Sequence, residues 1–177
     1  MNKPQSLRDH LLGAITELRH NPDRLMVFVD QGTVRSTAAA GLSFEYSYSL
    51  QLLLTDFAGS PNTVVVPLLA WLLVNQSELL TNLELGKDSI TFEVDVLDNA
   101  KVDMAISLPL TERVLVKRQE DGQLLISYPG EPQYTEQLPA QTYQLYADGI
   151  LQAEWESAPP TPIGVDLESP QIKRPAP

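Results

Sequence analysis

Apolar and polar positions alternate along this chain with two different periods, and the points where the period changes mark its elements. After Ser6, which has N-cap chemistry, apolar residues fall at Leu7, Leu11, Ala14, Ile15 and Leu18. That spacing predicts an amphipathic helix stopped by Asn21-Pro22. Leu25–Val29 reads as a short strand, Asp30-Gln31-Gly32 as its turn, and Thr33–Thr37 as an antiparallel return. From Gly41 the period becomes 2. Phe44, Tyr46, Tyr48, Leu50, Leu52 and Leu54 take one face, and Glu45, Ser47, Ser49, Gln51 and Thr55 the other. A strand that is apolar on one side and polar on the other belongs in an antiparallel sheet with one wet face.

Ser60-Pro61 then predicts a helix start, with Pro where its missing N–H costs nothing. Val64, Val65, Leu68, Leu69, Trp71, Leu72 and Leu73 follow, and Pro67 inside the run predicts a kink. Apolar side chains surround most of this helix, so it is expected to lie centrally against the sheet. Ile90–Val96 and Val102–Leu108 alternate again around Asp98-Asn99 and predict a hairpin with one acidic face. Leu110–Val116 and Leu124–Tyr128 predict another through Asp121-Gly122. Prolines and polar residues then intervene before Tyr143–Trp155, a third hairpin signal with Asp148-Gly149 at its turn.

The predicted fold is α+β: a mostly antiparallel sheet packed by an N-terminal helix and a central Pro-kinked helix, plus a tethered C-terminal β-hairpin. Residues 1–128 form the α+β domain, 129–141 a Pro-rich linker, 142–156 a hairpin arm and 157–177 a disordered Pro-rich tail, in which six of 21 residues are proline. Two strands alone are marginal in water. The hairpin must pack on its own domain, on a neighbouring subunit or on another protein.

Composition narrows the function. The 177 residues suit one domain with extensions. No cysteine is present, which excludes a disulfide scaffold, Cys-ligated metals and a thiol nucleophile. The formal charge of −11 disfavours binding to a phosphate backbone. Residues 36–112 carry ten acids against Lys87 and Lys101. The apolar run Val64–Val74 is far short of the about 20 residues that span a bilayer, and no secretory signal opens the chain, so no membrane partner is expected.

Catalytic motifs fail on inspection. Gly41-Leu42-Ser43-Phe44-Glu45 lacks the second glycine of a nucleophile elbow, and Gly86-Lys87 is followed by Asp88 where a phosphate loop needs Ser or Thr. His10 and His20 stand nearly three helical turns apart, too far to share a metal. Asp95, Asp98, Asn99 and Asp103 lack a calcium-loop pattern. Strand acids such as Glu93, Asp95 and Asp103 could form a carboxylate pair, but nothing marks a pocket around them. Asn75-Gln76-Ser77 matches a glycosylation sequon without a signal to deliver it. No catalytic, cofactor-binding or metal-binding residue is assigned, and the residue chemistry points to a domain built for protein contacts.

Longer strings carry more. Lys3-Pro4-Gln5-Ser6-Leu7-Arg8, Asn21-Pro22-Asp23, Phe28-Val29-Asp30-Gln31-Gly32, Ser36-Thr37-Ala38-Ala39 and Leu42-Ser43-Phe44-Glu45-Tyr46-Ser47-Tyr48 are followed by Thr55-Asp56-Phe57-Ala58-Gly59. Then come Val66-Pro67-Leu68-Leu69-Ala70-Trp71-Leu72, Asn75-Gln76, Leu110-Thr111-Glu112-Arg113 and a hairpin over Tyr146–Trp155. In this order, across residues 3–156, the chain resembles the tail completion protein R family (GpR) of peduovirus-like contractile-tailed phages.

The resemblance implies a structural, non-enzymatic virion protein without cofactor. It would cap the head-proximal end of the contractile tail as a tail terminator, in a hexameric ring, and prepare it for head joining. Its partners would be copies of itself, the tail tube and sheath proteins, and neck or connector proteins, with assembly in the host cytoplasm. The alternatives are a neck or head–tail connector protein of the same virion and, more weakly, a small cytoplasmic enzyme; neighbouring genes would separate the virion roles from the enzyme. Interface candidates are Glu112, Arg113, Tyr143, Leu145, Leu151 and Trp155. Glu45, Glu93, Asp95 and Asp103 are candidates for an anionic lining of the bore through which DNA passes. Phe28, Phe44, Pro67, Trp71 and Leu72 are expected in the core, and Asp30, Gly32 and Asp56 in turns.

Overall fold

Strand β2 (Phe44–Phe57) shows why the chain folds as it does: Tyr48, Leu50, Leu52 and Leu54 are buried on one face, with Ser49, Gln51 and the one apolar exception, Leu53, between them. The structure, a computed structural model, describes residues 1–36, 41–97, 101–132 and 138–157. Thr37, Ala38 and Ala39, the Asp98-Asn99 turn, the middle of the Pro-rich linker and the tail beyond Ser157 lie outside them.

Antiparallel neighbours flank β2: β1 (Leu25–Ser36) on one side and β4 (Val102–Arg118) on the other. Beyond β4 run β3 (Thr91–Val96) and, further along the same strand, β5 (Leu124–Ser127). The sheet therefore has five strands in the order β1-β2-β4-β3, with β5 also on β4. Its inner face sets Leu25, Leu54 and Met104 in one row and Leu50 and Leu108 in another, all buried. Each such side chain contributes about 1.5–3 kcal/mol through burial.

Helix α1 (Lys3–Ala14), α2 (Thr16–His20) and α3 (Asn62–Asn75) complete the core through Leu7, Leu11, Leu18, Val64, Leu68 and Leu72. A short 3-10 turn (Pro22–Arg24) leads into β1, and α4 (Glu78–Thr81) and α5 (Leu83–Gly86) follow α3. The separate two-stranded sheet, β6 (Thr142–Ala147) with β7 (Ile150–Glu156), turns on Asp148 (φ 50) and Gly149 (φ 77). Positive φ at both central residues is the two-residue hairpin geometry that Asp-Gly favours.

Several local expectations change. The N-terminal helix starts at Lys3, not after Ser6, and breaks at Ile15, which is extended and bridges Ala153 of β7. Ser6 lies inside α1, where its hydroxyl accepts a hydrogen bond from the Trp71 indole at 3.1 Å. Asp30-Gln31-Gly32 does not reverse the chain. It is a bulge in one continuous β1, with Gln31 at φ 50 and a register shift between Asp30 and Thr33. Bulges and turns use the same left-handed residues, so turn chemistry alone could not separate them. Phe28 is not core: it is 49% exposed on the outer face. The two expected strands Val102–Leu108 and Leu110–Val116 are one, because Pro109 sits where β4 has an open edge between β3 and β5. The Thr111 N–H points to that same edge, and alternate residues aim their N–H groups alike. Proline at 109 therefore removes no ladder bond.

Candidate functional site

Helix α1 begins with no acid in its first turn and no side-chain cap of its own. Its free N–H groups nevertheless have partners. Glu112 of β4 accepts from the Asn2 N–H at 2.6 Å and the Lys3 N–H at 3.1 Å, Pro4 has no N–H to satisfy, and the Ser6 N–H bonds the Asn2 carbonyl. A carboxylate at a helix N-terminus also answers the helix dipole. The Tyr48 hydroxyl donates to Glu112 at 3.3 Å. Burial, together with that carboxylate, pushes the Tyr48 phenol well above its ordinary value.

The same cluster holds Lys3 and Gln76. The Lys3 ammonium donates to Gln76 Oε1 at 2.6 Å and to Glu131 at 2.7 Å. Burial pushes its pKa below the ordinary value, although Glu131, Glu112 and Glu78 pull the other way. Gln76 also accepts from the Thr111 N–H at 3.3 Å and donates to Thr111 Oγ1 and Glu78, which seals the open edge of β4. Ser77 is buried and donates to the Pro132 carbonyl, so the Asn75-Gln76-Ser77 sequon has no accessible hydroxyl. The cluster ties α1, α3, β2, β4 and the segment after β5 together; its acids and bases bind one another and leave no free nucleophile among them.

A second polar feature lies where α1 meets α3. His10 Nε2 is 3.1 Å from the Pro67 carbonyl, which can only accept, so Nε2 carries the proton. Burial pushes the His10 pKa below its ordinary value of 6.5. A cleft of about 150 Å³ beside it, lined by Trp71, Leu138 and Trp155 among others, is below the usual size of a ligand pocket. The burial of His10 predicts a pH dependence. The unfolded chain takes up the proton first, so stability falls as pH drops through 6.5 and levels off below the lowered folded value. Urea midpoints from about pH 7.5 to about pH 5 should show that slope, and His10→Gln should flatten it.

The sequence-derived candidates divide. Glu112 is 3% exposed and bonded within its own subunit, which leaves no surface to offer a neighbour. Its chain neighbour Arg113 is exposed and stands opposite Glu45, which also pairs with Arg35 at 3.1 Å. Glu45 is thus flanked by two arginines. Glu93, Asp95 and Asp103 gather at the other end of the sheet, with Asp95 directly opposite Asp103. Asp103 accepts from the Asp56 N–H at 2.8 Å, at a bulge where Asp56 has φ 53.

Tyr143, Leu145, Ala153 and Trp155 share the hairpin face that packs on α1, α2 and α3. The Tyr143 and Trp155 rings stack at 5.8 Å, Ala153 is fully buried, and Leu151 stands opposite Tyr146 near the turn. The hairpin rests on its own domain. Sequence reasoning missed Lys3, Tyr48 and Gln76 because the bonds Lys3–Gln76, Lys3–Glu131 and Tyr48–Glu112 span 64 to 128 residues. Their signal in the sequence was their place in the strings that carry the family resemblance, which names no role for them.

Among the described residues no three His, Asp or Glu side chains sit close enough to hold a metal ion, and no helix is long and apolar enough to cross a membrane. The family model of P2 phage tail completion protein R (GpR) matches residues 1–132. Tail completion protein R of Escherichia phage P2 is 43% identical over 156 residues, covering 88% of this chain and 99% of that protein. No solved structure matches.

Proposed function

This chain belongs to the P2 phage tail completion protein R family, structural and non-enzymatic proteins of the phage tail, and from that premise we propose that it closes the head-proximal end of a contractile tail. Six copies form a ring on the last layer of tube and sheath, halt their growth and present a surface for head joining. The extent of the match carries this reading, since it spans nearly the whole of the related tail completion protein. The subunit suits the role: its polar clusters are occupied internally, and it has open strand edges with which to meet neighbours. Within the ring we assign the acidic end of the outer face, Glu93, Asp95 and Asp103, to the bore, where negative charge keeps passing DNA from adhering. Glu45 contributes little there, held between Arg35 and Arg113.

Native mass by light scattering, with and without tail tubes, tests the reading. Closure before docking gives a mass near 118 kDa, six times 19.6 kDa. A chain that is monomeric alone yet binds tubes assembles on the tail as template, which also supports the reading. A monomer that ignores tubes overturns it and favours a neck or connector role.

A further inference from the structure

The last residues of β4 and all of β5 extend past the rest of the sheet. β2 begins opposite Val114, so among the described residues β4 is paired only with β5 from Leu115 onward. This ribbon, residues 115–127, turns at Gly122 (φ 86). Its outer strand carries three consecutive apolar residues, Leu124, Leu125 and Ile126, which are 54%, 52% and 58% exposed. Neither proline nor charge interrupts them. An open edge of that kind pairs with other chains unless it is covered. The other edge of the sheet is β1, which has no strand on its outer side among the described residues, and its Val34 is 64% exposed.

We infer that β5 of one subunit adds to the second half of β1 in the next, Leu124–Ser127 beside Thr33–Ser36, and that this contact closes the ring. Three observations choose a second copy as the occupant. The first is charge. The chain carries −11, so copies repel, but β1 holds only Asp30 and Arg35, and the ribbon only Lys117, Arg118, Glu120 and Asp121. Each is formally neutral, whereas the rival edge β3 carries Glu93 and Asp95 with no base. The second is direction. β1 and β4 both run antiparallel to β2, and β5 runs antiparallel to β4. A neighbour placed by rotation with its sheet in line therefore presents β5 antiparallel to β1, the pairing an added edge strand readily makes. The third is parity. Val34 stands opposite Tyr46 on the core side of the sheet, and Ile126 opposite Val116 on the same side, so the two fall on one face of the joined sheet. Because the two edges differ, the contact is head-to-tail and repeats from copy to copy until it closes.

The inference rests on the tail-capping reading, and its test separates the two. The chain has no cysteine, so engineered thiols react without background. The variant Val34→Cys/Ile126→Cys, oxidised alone and on tail tubes, should give a ladder of covalent multimers on a non-reducing gel. Val34→Cys or Ile126→Cys alone should give none. Leu125→Glu, at an exposed position, should leave the circular dichroism unchanged and lower the assembled fraction at least tenfold. Efficient dimers from Val34→Cys alone would show a symmetric β1–β1 contact and overturn the inference. So would a protein that still assembles and caps tubes with no ladder and with Leu125→Glu silent, and in that case the capping reading stands. A wild-type chain that neither assembles nor binds tubes overturns both.

Discussion

Glu112→Ala is expected to destabilise the subunit by about 3 kcal/mol, because it strips a buried carboxylate from donors that have no other partner among the described residues. The Asn2 and Lys3 N–H groups and the Tyr48 hydroxyl all point at Glu112. Removal leaves the first turn of α1 uncapped where water has little access, and it takes negative charge from beside the buried Lys3 ammonium. For a chain of this size the loss corresponds to a Tm lower by about 6–12 °C. Urea denaturation of wild type, Glu112→Ala and Glu112→Gln checks it. Glu112→Gln keeps the shape and one acceptor oxygen, so it should fall between the other two. Tyr48→Phe adds a control: in the Glu112→Ala background its hydroxyl has already lost its acceptor, so the two losses should sum to more than the double variant shows. A loss below about 1 kcal/mol for Glu112→Ala would mean that solvent caps the helix and that the carboxylate is replaceable.

The contrast between Glu112 and the strand acids shows what a sequence can reveal. Elements whose register is set by a local repeat were readable: the alternation of β2, the β3–β4 pair and the Asp148-Gly149 turn all follow from neighbours two to four residues apart. The role of Glu112 was not, because the helix it caps starts 109 residues earlier. The same holds for Ile15. Its place in a helical stripe suggested continuity, but a bridge to Ala153 holds it extended. Phe28 failed for a related reason: an aromatic residue in a strand predicts burial only if something covers its face, and the outer face of β1 is open. The hairpin candidates Tyr143, Leu145, Leu151 and Trp155 followed a reasonable rule, that an isolated hairpin needs a partner. The rule holds, and the partner is the hairpin's own helices.

That last point makes a large and discriminating prediction. Ala153→Arg should undock the C-terminal hairpin and cost about 3–5 kcal/mol, a combination of overpacking and burial of an unpaired charge. Ala153 has no exposed surface and lies where β7 bridges Ile15, between α1 and α2. Arginine would put a long charged side chain into a position with no exposed surface, so the hairpin is expected to leave. Once off, β6 and β7 are two strands without a packing surface, and such a pair does not hold its structure in water. Deleting residues 142–157 should therefore cost nearly the same as the substitution, and combining Ala153→Arg with Trp155→Ala should add little. Limited proteolysis of Ala153→Arg should show new cuts within 142–157 that wild type lacks, while α1, α3 and the five-stranded sheet stay resistant. Assembly gives the second measurement. A hairpin that serves its own subunit predicts that whatever fraction of Ala153→Arg remains folded still forms β1–β5 contacts. A hairpin that reaches a neighbour predicts the reverse, a folded monomer of undiminished stability that no longer assembles. Chemical denaturation and native mass, measured on the same preparation, distinguish the two.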